Sequence, residues 1–429
     1  MAYEGWPLGA VIPRSRAEPW VPAVALLVFM FLVFVGLTPF SQPDPALAVD
    51  SNTGEGDIAR QISYFLVFSI IAASAIHLRG LQAFTAVPVL LTVLLAWCVM
   101  SAFWSVEPAV TLRRAVLAII VVLSVMLSVG SLGVERSLRL FRLALAAVLI
   151  VNWISIPLIA SAVHLPGEAD PQLVGAWRGV LVHKNIAGAV CAISALVFLH
   201  FAVEKRRVVD ILLCLGAIAF LIMTQSKASL GLLPISIVAL GVYRFASRRA
   251  LDRQIVMVGL ALVFVIGVSA LLLESDNLLR LLSNPQELTG RTAIWQAEIA
   301  YIGDHPLLGA GFGSFADTGV NSPIYPYAGS AWIEHVAHGH NGYLQLLVTI
   351  GIVGFALAMM TFVIAPLVLF LRGGEGVELR SLLFAVFVFL VLHNLVESDF
   401  LEGDGAIWVT YLMCLAMLRQ SQAKPELER

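Results

Sequence analysis

Residues 341–371 read NGYLQLLVTIGIVGFALAMMTFVIAPLVLFL, a stretch without one charged side chain. A helix rising about 1.5 Å per residue needs about 20 such residues to cross about 30 Å of hydrocarbon, so this stretch is long enough to span a bilayer. Eleven further segments have the same character: 20–40, 58–78, 83–103, 111–130, 138–163, 185–203, 208–223, 228–245, 254–273, 379–396 and 406–418, with 208–223 and 406–418 the shortest. The composition agrees. Of 429 residues 59% are hydrophobic and 13% charged, too few charges to cover a soluble protein of this size, and the net charge of −2 excludes a strongly basic nucleic-acid binder. Cys98, Cys191, Cys214 and Cys414 lie inside apolar runs with no metal-like spacing and read as small core hydrophobes. The expected fold is an all-α integral membrane protein of about 12 transmembrane helices, with residues 1–429 forming a single polytopic membrane domain. The first span lacks the small-x-small exit of a cleavable signal peptide.

Orientation follows from the basic residues. With the N-terminus inside, 18 of the 26 Lys and Arg fall on the cytoplasmic side and 8 outside, which predicts that both termini are cytoplasmic. The longest polar excursion, 274–340, then lies outside between the ninth and tenth spans, too long to be a simple turn. Within it 289–302 reads as a short amphipathic helix, capped by Thr289 and opened by Arg291. The stretch from His305 to Gly313 is rich in glycine. No strand precedes it and no Gly-Lys-Ser/Thr ends it, so the reading is a tight turn with close backbone approach, not a nucleotide loop.

The outer-side cations are Arg60, Arg113, Arg114, Arg178, Lys184, Lys227, Arg280 and Arg291, on a face where positive residues are disfavoured. Arg178, Lys184, Lys227 and Arg291 come from separate elements and together would form an anion clamp suited to a lipid-linked phosphate or diphosphate. Arg113 and Arg114 read instead as headgroup contacts. His335, His338 and His340 cluster just before the tenth span. They lack an accompanying cysteine or carboxylate pair, and an imidazole, which titrates near neutral pH, suits proton removal from a hydroxyl better than it suits an isolated His-x-His metal site. His340 is the expected base. His393 and Glu397, four positions apart, are expected to share a helical face, where Glu397 could orient a catalytic group or join a polar network.

The stretch Gly290-Arg291 through Trp295, His305 to Gly311, and His338-Gly339-His340-Asn341-Gly342-Tyr343-Leu344-Gln345 resembles the core of the O-antigen ligase and polysaccharide polymerase superfamily. The family's His-Asn, nine residues, Gly-x-x-Gly pattern is met by His340, Asn341, Gly351 and Gly354. Trp104 to Pro108, Arg178 to Asn185 and Gln225-Ser226-Lys227 also resemble family landmarks, closest to the branch that polymerises exopolysaccharides. The resemblance implies a metal-independent membrane glycosyltransferase of the GT-C type, without cofactor, in the bacterial inner (cytoplasmic) membrane with its active site in the periplasm. Its substrate would be glycan on undecaprenyl diphosphate, and other polysaccharide assembly proteins could be partners. The position of His340 is that of the proposed base, and the positions of Arg291 and Lys227 are those of diphosphate-binding cations. Arg178, Lys184, His338, Asn341 and Glu397 complete the expected substrate-binding set. Lys227 stands where ligases often carry Arg, keeping the charge but losing the bidentate fork. The expectation is polymerase-like transfer. Ligation to a lipid A core is the alternative within the family, and a transporter or flippase of lipid-linked sugars the alternative from another class.

Overall fold

The computed structural model describes residues 20–40, 57–166, 173–247, 255, 291–316, 318, 321–329, 339–373 and 376–422. Most of the expected ninth span, Arg280, Thr289, His335, His338 and much of 274–340 lie outside the described residues. Among those described, the chain is helical: α1 (Trp20–Phe34), α2 (Ile58–Arg79), α3 (Val89–Met100), α4 (Pro108–Leu132), α5 (Val134–Leu158), α6 (Lys184–Lys205), α7 (Val208–Thr224), α8 (Lys227–Ala246), α9 (Arg291–Asp304), α10 (Gly342–Met359), α11 (Ala365–Arg372), α12 (Val377–His393) and α13 (Ala406–Gln420). Among the described residues, six stretches are long and apolar enough to cross a membrane: Ile58–Ala86, Pro108–Leu132, Val134–Leu158, Lys184–Lys205, Lys227–Ala246 and Gly342–Arg372. Trp20–Phe34, Val89–Phe103, Val208–Thr224 and Ala406–Gln420 are shorter apolar helices. This is a membrane protein with several transmembrane helices.

Helix α6 forms the centre, with 72% of its apolar window buried against 22% for α8 at the periphery. It packs most extensively on α7, while α8 packs on α12 and α2 on α4. The outer helices carry exposed Phe65, Val89, Leu212 and Val238, a pattern stable in hydrocarbon and unfavourable in water.

Local chemistry trims several expected spans. The first ends at Phe34 instead of 40. Residues 83–103 are not one helix: a 3-10 segment (Gly80–Ala86) precedes Pro88, whose missing N–H is harmless at a helix start, and α3 begins at Val89. The charge-free stretch at 341–371 is also interrupted. Gly351, with φ 65° and ψ −176°, breaks α10, and a π-helical turn (Met360–Ile364) joins α10 to α11.

The break in α10 has a purpose visible in its hydrogen bonds. Ala310 and Gly311 donate to the carbonyls of Val348 (2.8 Å) and Thr349 (2.9 Å), and Ile352 donates to Pro306 (2.9 Å). The glycine-rich turn is thus inserted into the gap, satisfying backbone groups that the break exposes. A Cβ on Gly309 would sit 2.8 Å from Gly351 N, and one on Gly351 would collide with the Leu307 carbonyl. Gly354 makes room for Trp97, whose indole N–H donates to Ile350 O (3.1 Å). The Gly-x-x-Gly half of the motif is therefore a docking device for the turn.

Of the eight cations expected on the outer side, the seven on described residues all lie at one end of the bundle: near the starts of α2, α4, α6, α8 and α9 and in the segment before α6. The opposite end is tied separately. There Arg142 pairs with Asp210, Arg244 with Glu204 (2.7 Å), and buried Arg380 donates to Leu369 O (2.6 Å).

Candidate active site

His340 sits immediately before α10 with φ 51°, a left-handed conformation that costs a β-carbon-bearing residue energy and is held by its surroundings. The next two residues supply that hold. Asn341 caps α10, its side-chain oxygen accepting from the backbone N–H of Tyr343 (3.0 Å) and Leu344 (3.1 Å), while its amide donates to Leu395 O (3.3 Å). Its backbone N–H donates to Ser398 Oγ (3.1 Å). Gly342 N–H is shared between the carbonyls of Asn394 (2.8 Å) and Glu397 (2.9 Å), and a Cβ there would collide with the Asn394 side chain. Asn341, expected in the substrate-binding set, is committed to fixing the backbone on both sides.

Glu397 joins three elements. Its Oε2 lies 2.9 Å from His340 Nδ1, and its Oε1 accepts from Arg291 (2.7 Å) and from the side-chain amide of Asn185 (2.7 Å). Arg291 also donates to Val396 O. Burial pushes the Glu397 carboxyl up, but the hydrogen bond with His340 and the charge of Arg291 outweigh it and hold the group down at about 2. An ionised carboxylate at Nδ1 makes that nitrogen the donor, so in the neutral imidazole it is Nε2 that carries the lone pair. This is the tautomer a general base needs. Helix α12 ends at His393, and Glu397 lies one further turn on, its backbone N–H donating to His393 O (2.9 Å), but the two side chains take different partners. His393 turns to Asp399 (2.7 Å), and Glu397 in the following loop turns to His340.

The start of α6 forms another wall. His183 caps the helix through Nδ1, which accepts from Asn185 N–H (3.2 Å), leaving Nε2–H as a donor. Burial, then the neighbouring His164, hold this imidazole down at about 4, so it is neutral at pH 7. Lys184 opens α6, its backbone N–H donating to His164 Nε2 (3.2 Å). Lys227 opens α8 and is exposed. A Cβ on Gly188, one turn past Lys184, would lie 2.5 Å from Ser226 Cβ, so the first turns of α6 and α8 abut. Arg178 is almost fully buried, and its guanidinium donates to Ser161 O (2.7 Å) and Val182 O (2.9 Å), so it holds the segment leading into α6.

Helix α9 presents Arg291, Trp295 and Glu298 at i, i+4 and i+7, one helical face. The Trp295 indole donates to Gly339 O (2.8 Å), and a Cβ on Gly339 would collide with Glu298 Oε1. Glu298 is 1% exposed, and its Oε2 has no hydrogen-bond partner among the described residues. Burial pushes its carboxyl up to about 8. The face that delivers Arg291 to Glu397 thus also clamps the residue preceding His340.

The structure brings together His340, Arg291 and Glu397, seats Asn341 beneath them and adds Asn185, which sequence reasoning included only within a quoted stretch. His183 was likewise included only within that stretch and Glu298 only as part of an amphipathic spacing, while Ser398 was missed. Their signals are an isolated histidine before a helix, a serine after a glutamate and one glutamate in an amphipathic pattern, none specific by itself. Among the described residues, no group of three or more His, Cys, Asp or Glu is arranged to hold a metal ion.

Residues 211–359 match the family described as O-antigen ligase. The matched segment runs from within α7 through α10 and contains Lys227, Arg291, His340 and Asn341; Arg178, Lys184, Asn185 and Glu397 lie outside it. No curated protein matches the chain.

Proposed function

From the premise that residues 211–359 belong to the O-antigen ligase family, we propose that this membrane protein transfers glycan from a polyprenyl (undecaprenyl) diphosphate carrier to a sugar hydroxyl at the periplasmic face of the inner membrane. The observation that carries the reading is the His340–Glu397–Arg291 arrangement at the cation-rich end of the bundle.

In this reaction His340 Nε2 removes the proton from the acceptor hydroxyl as its oxygen bonds to the anomeric carbon. The bond from that carbon to the carrier diphosphate breaks, and the electron pair leaves with the diphosphate. Glu397 fixes the imidazole in the basic tautomer and stabilises the imidazolium that forms, as a carboxylate does in a hydrolase triad. Diphosphate departs as a stable anion, so it needs cationic stabilisation more than a proton or a metal. Arg291 commits two N–H groups to the loop and retains others for a phosphate oxygen. Lys184 and Lys227, on abutting helix starts, supply further charge, and His183 a neutral donor.

Polymerisation is the favoured form of transfer, with Lys227 in place of an arginine fork as its support. The test is purified protein with a defined undecaprenyl-diphosphate oligosaccharide, with and without a separate acceptor. Elongated lipid-linked product without added acceptor supports polymerisation. Product formed only with lipid A core identifies a ligase, and no glycosidic product under either condition removes the transferase reading. Activity that survives exhaustive chelation supports the metal-independent chemistry.

A further inference from the structure

A cavity of about 400 Å³ opens beside the His340 segment, between the first turn of α2, the second and third turns of α4, the glycine-rich turn and the loop that follows Glu397. Its size falls in the range of small-molecule sites. Gln61, Arg113, Gln345 and Glu402 line it, with Phe312 and Phe400 as apolar surface. Phe400 is held by stacking on Phe362, ring centroids 5.4 Å apart.

The lining suits neither a bare anion nor a hydrocarbon chain. Arg60 at its edge is bound to Asp404 through both Nε (2.9 Å) and a terminal nitrogen, and Arg114 donates to the Gly313 carbonyl. Asp57, whose carboxylate caps α2 at Arg60 N–H (3.0 Å), and Glu402 also line the space, so residues of both signs are present. Donors and acceptors of both kinds, beside apolar ring faces, match the alternating hydroxyls and C–H faces of a sugar. Beyond the Arg60–Asp404 pair lies a second cavity of about 310 Å³, with Leu32, Phe34, Leu181 and Ile186 in its walls, so apolar parts of a substrate have a separate place.

The polar cavity is also continuous with the site. Gln345 lies one turn beyond Asn341 on α10, and its Oε1 accepts from Gly339 N–H (3.3 Å), the residue before His340. The loop from Phe400 to Gly403 continues directly from Glu397 and Ser398.

We infer that this cavity is a sugar-binding subsite, holding a ring of the glycan substrate next to the one that reacts at His340. The inference rests on the glycosyl-transfer reading for its substrate class. Either the acceptor or the donor glycan could supply the ring, and the experiment separates them.

The probe is the lipid-free repeat-unit oligosaccharide released by mild acid from the host's own lipid-linked glycan, titrated into the full-length protein in detergent. Wild type and His340→Ala are expected to bind it equally. Gln61→Leu, which removes an amide from the wall, and Gln61→Trp, which fills the space, are expected to weaken binding by about tenfold with an unchanged melting midpoint. In steady-state transfer the same variants raise KM by about tenfold while kcat is retained. A rise confined to the acceptor KM assigns the subsite to the acceptor, and one confined to the donor KM assigns it to the donor glycan. No binding to wild type, or equal affinity in all four proteins, overturns the subsite. Wild type that binds the oligosaccharide but forms no glycosidic product from the undecaprenyl-diphosphate-linked substrate refutes the transferase reading and leaves the sugar site standing.

Discussion

His340 Nδ1 and Glu397 Oε2 lie 2.9 Å apart although 57 residues separate them in the chain. The pairing makes Nε2 the basic nitrogen, and the proposed chemistry depends on it. Replacing His340 by Asn retains a side chain that tolerates the left-handed backbone while removing the base. Transfer is expected to fall by about 10²–10⁴-fold, with the protein still folded and lipid-linked repeats accumulating. Polymer of normal amount and length from His340→Asn would remove His340 from the mechanism.

Glu397→Gln tests the tautomer. A carboxamide turned to donate toward Nδ1 leaves the proton on Nε2, the wrong nitrogen for a base. The expected result is a kcat loss comparable to that of His340→Asn with substrate KM nearly unchanged, and partial recovery in Glu397→Asp. The pH dependence of stability has a defined sign. Glu397 is held at about 2 in the folded protein against about 4.3 for an unperturbed glutamate, so the unfolded chain binds more protons between these values. Its contribution is complete above the unfolded value and is lost as pH falls toward 2. Melting midpoints of wild type and Glu397→Gln should converge over that window. Curves that stay parallel would show that the carboxylate is not held as described.

The helical bundle was legible in the residues because apolar length is a local property. The active-site linkage was not. Arg291 and Glu397 meet across 106 positions, and nothing in the pattern of either segment specifies the other. Helical spacing put Glu397 one turn beyond His393, where its backbone N–H does bond the His393 carbonyl, but that spacing holds no information about its side-chain partner, His340. Uncharged 341–371 hid its own break: Gly351 is visible as a glycine, but its left-handed backbone follows from the turn inserted against it. Asn341 was legible as part of a motif but not as a cap, since its role depends on the loop beneath.

Arg291 bridges Val396 O and Glu397, so it positions the carboxylate, and in the proposed reaction it would also offer charge to the leaving group. Arg291→Ala should raise the donor KM and lower kcat together. Arg291→Lys restores charge without the planar fork and should recover only part of each. Wild-type kinetics in both variants would exclude Arg291 from the site.

Gly351→Ala probes the break in α10. Its backbone lies in a region open essentially to glycine, costing another residue about 1–3 kcal/mol, and a Cβ would collide with Leu307 O. A lower melting midpoint and reduced transfer are expected, because the displaced turn packs against the helix that begins at Asn341. Gly231→Ala, a glycine with nothing within 4 Å of an added Cβ, is the control and should be neutral. Equal stability of the two variants would show that the inserted turn does not require the glycine.

Glu298 provides a test of opposite sign. Burial raises its carboxyl to about 8, so the folded protein keeps the proton that an unfolded chain releases above about 4.3. Between these values the folded state binds more protons, and the stability associated with this group declines as pH rises. Glu298→Gln is nearly isosteric with the protonated acid and cannot ionise. Its melting midpoint should match wild type at about pH 4 and exceed it progressively toward pH 8, because wild type alone bears the cost of keeping a carboxyl neutral against Gly339. A constant difference between the two proteins from pH 5 to 8 would mean that Glu298 does not titrate in this range, and that its burial against the His340 segment carries no pH-dependent cost.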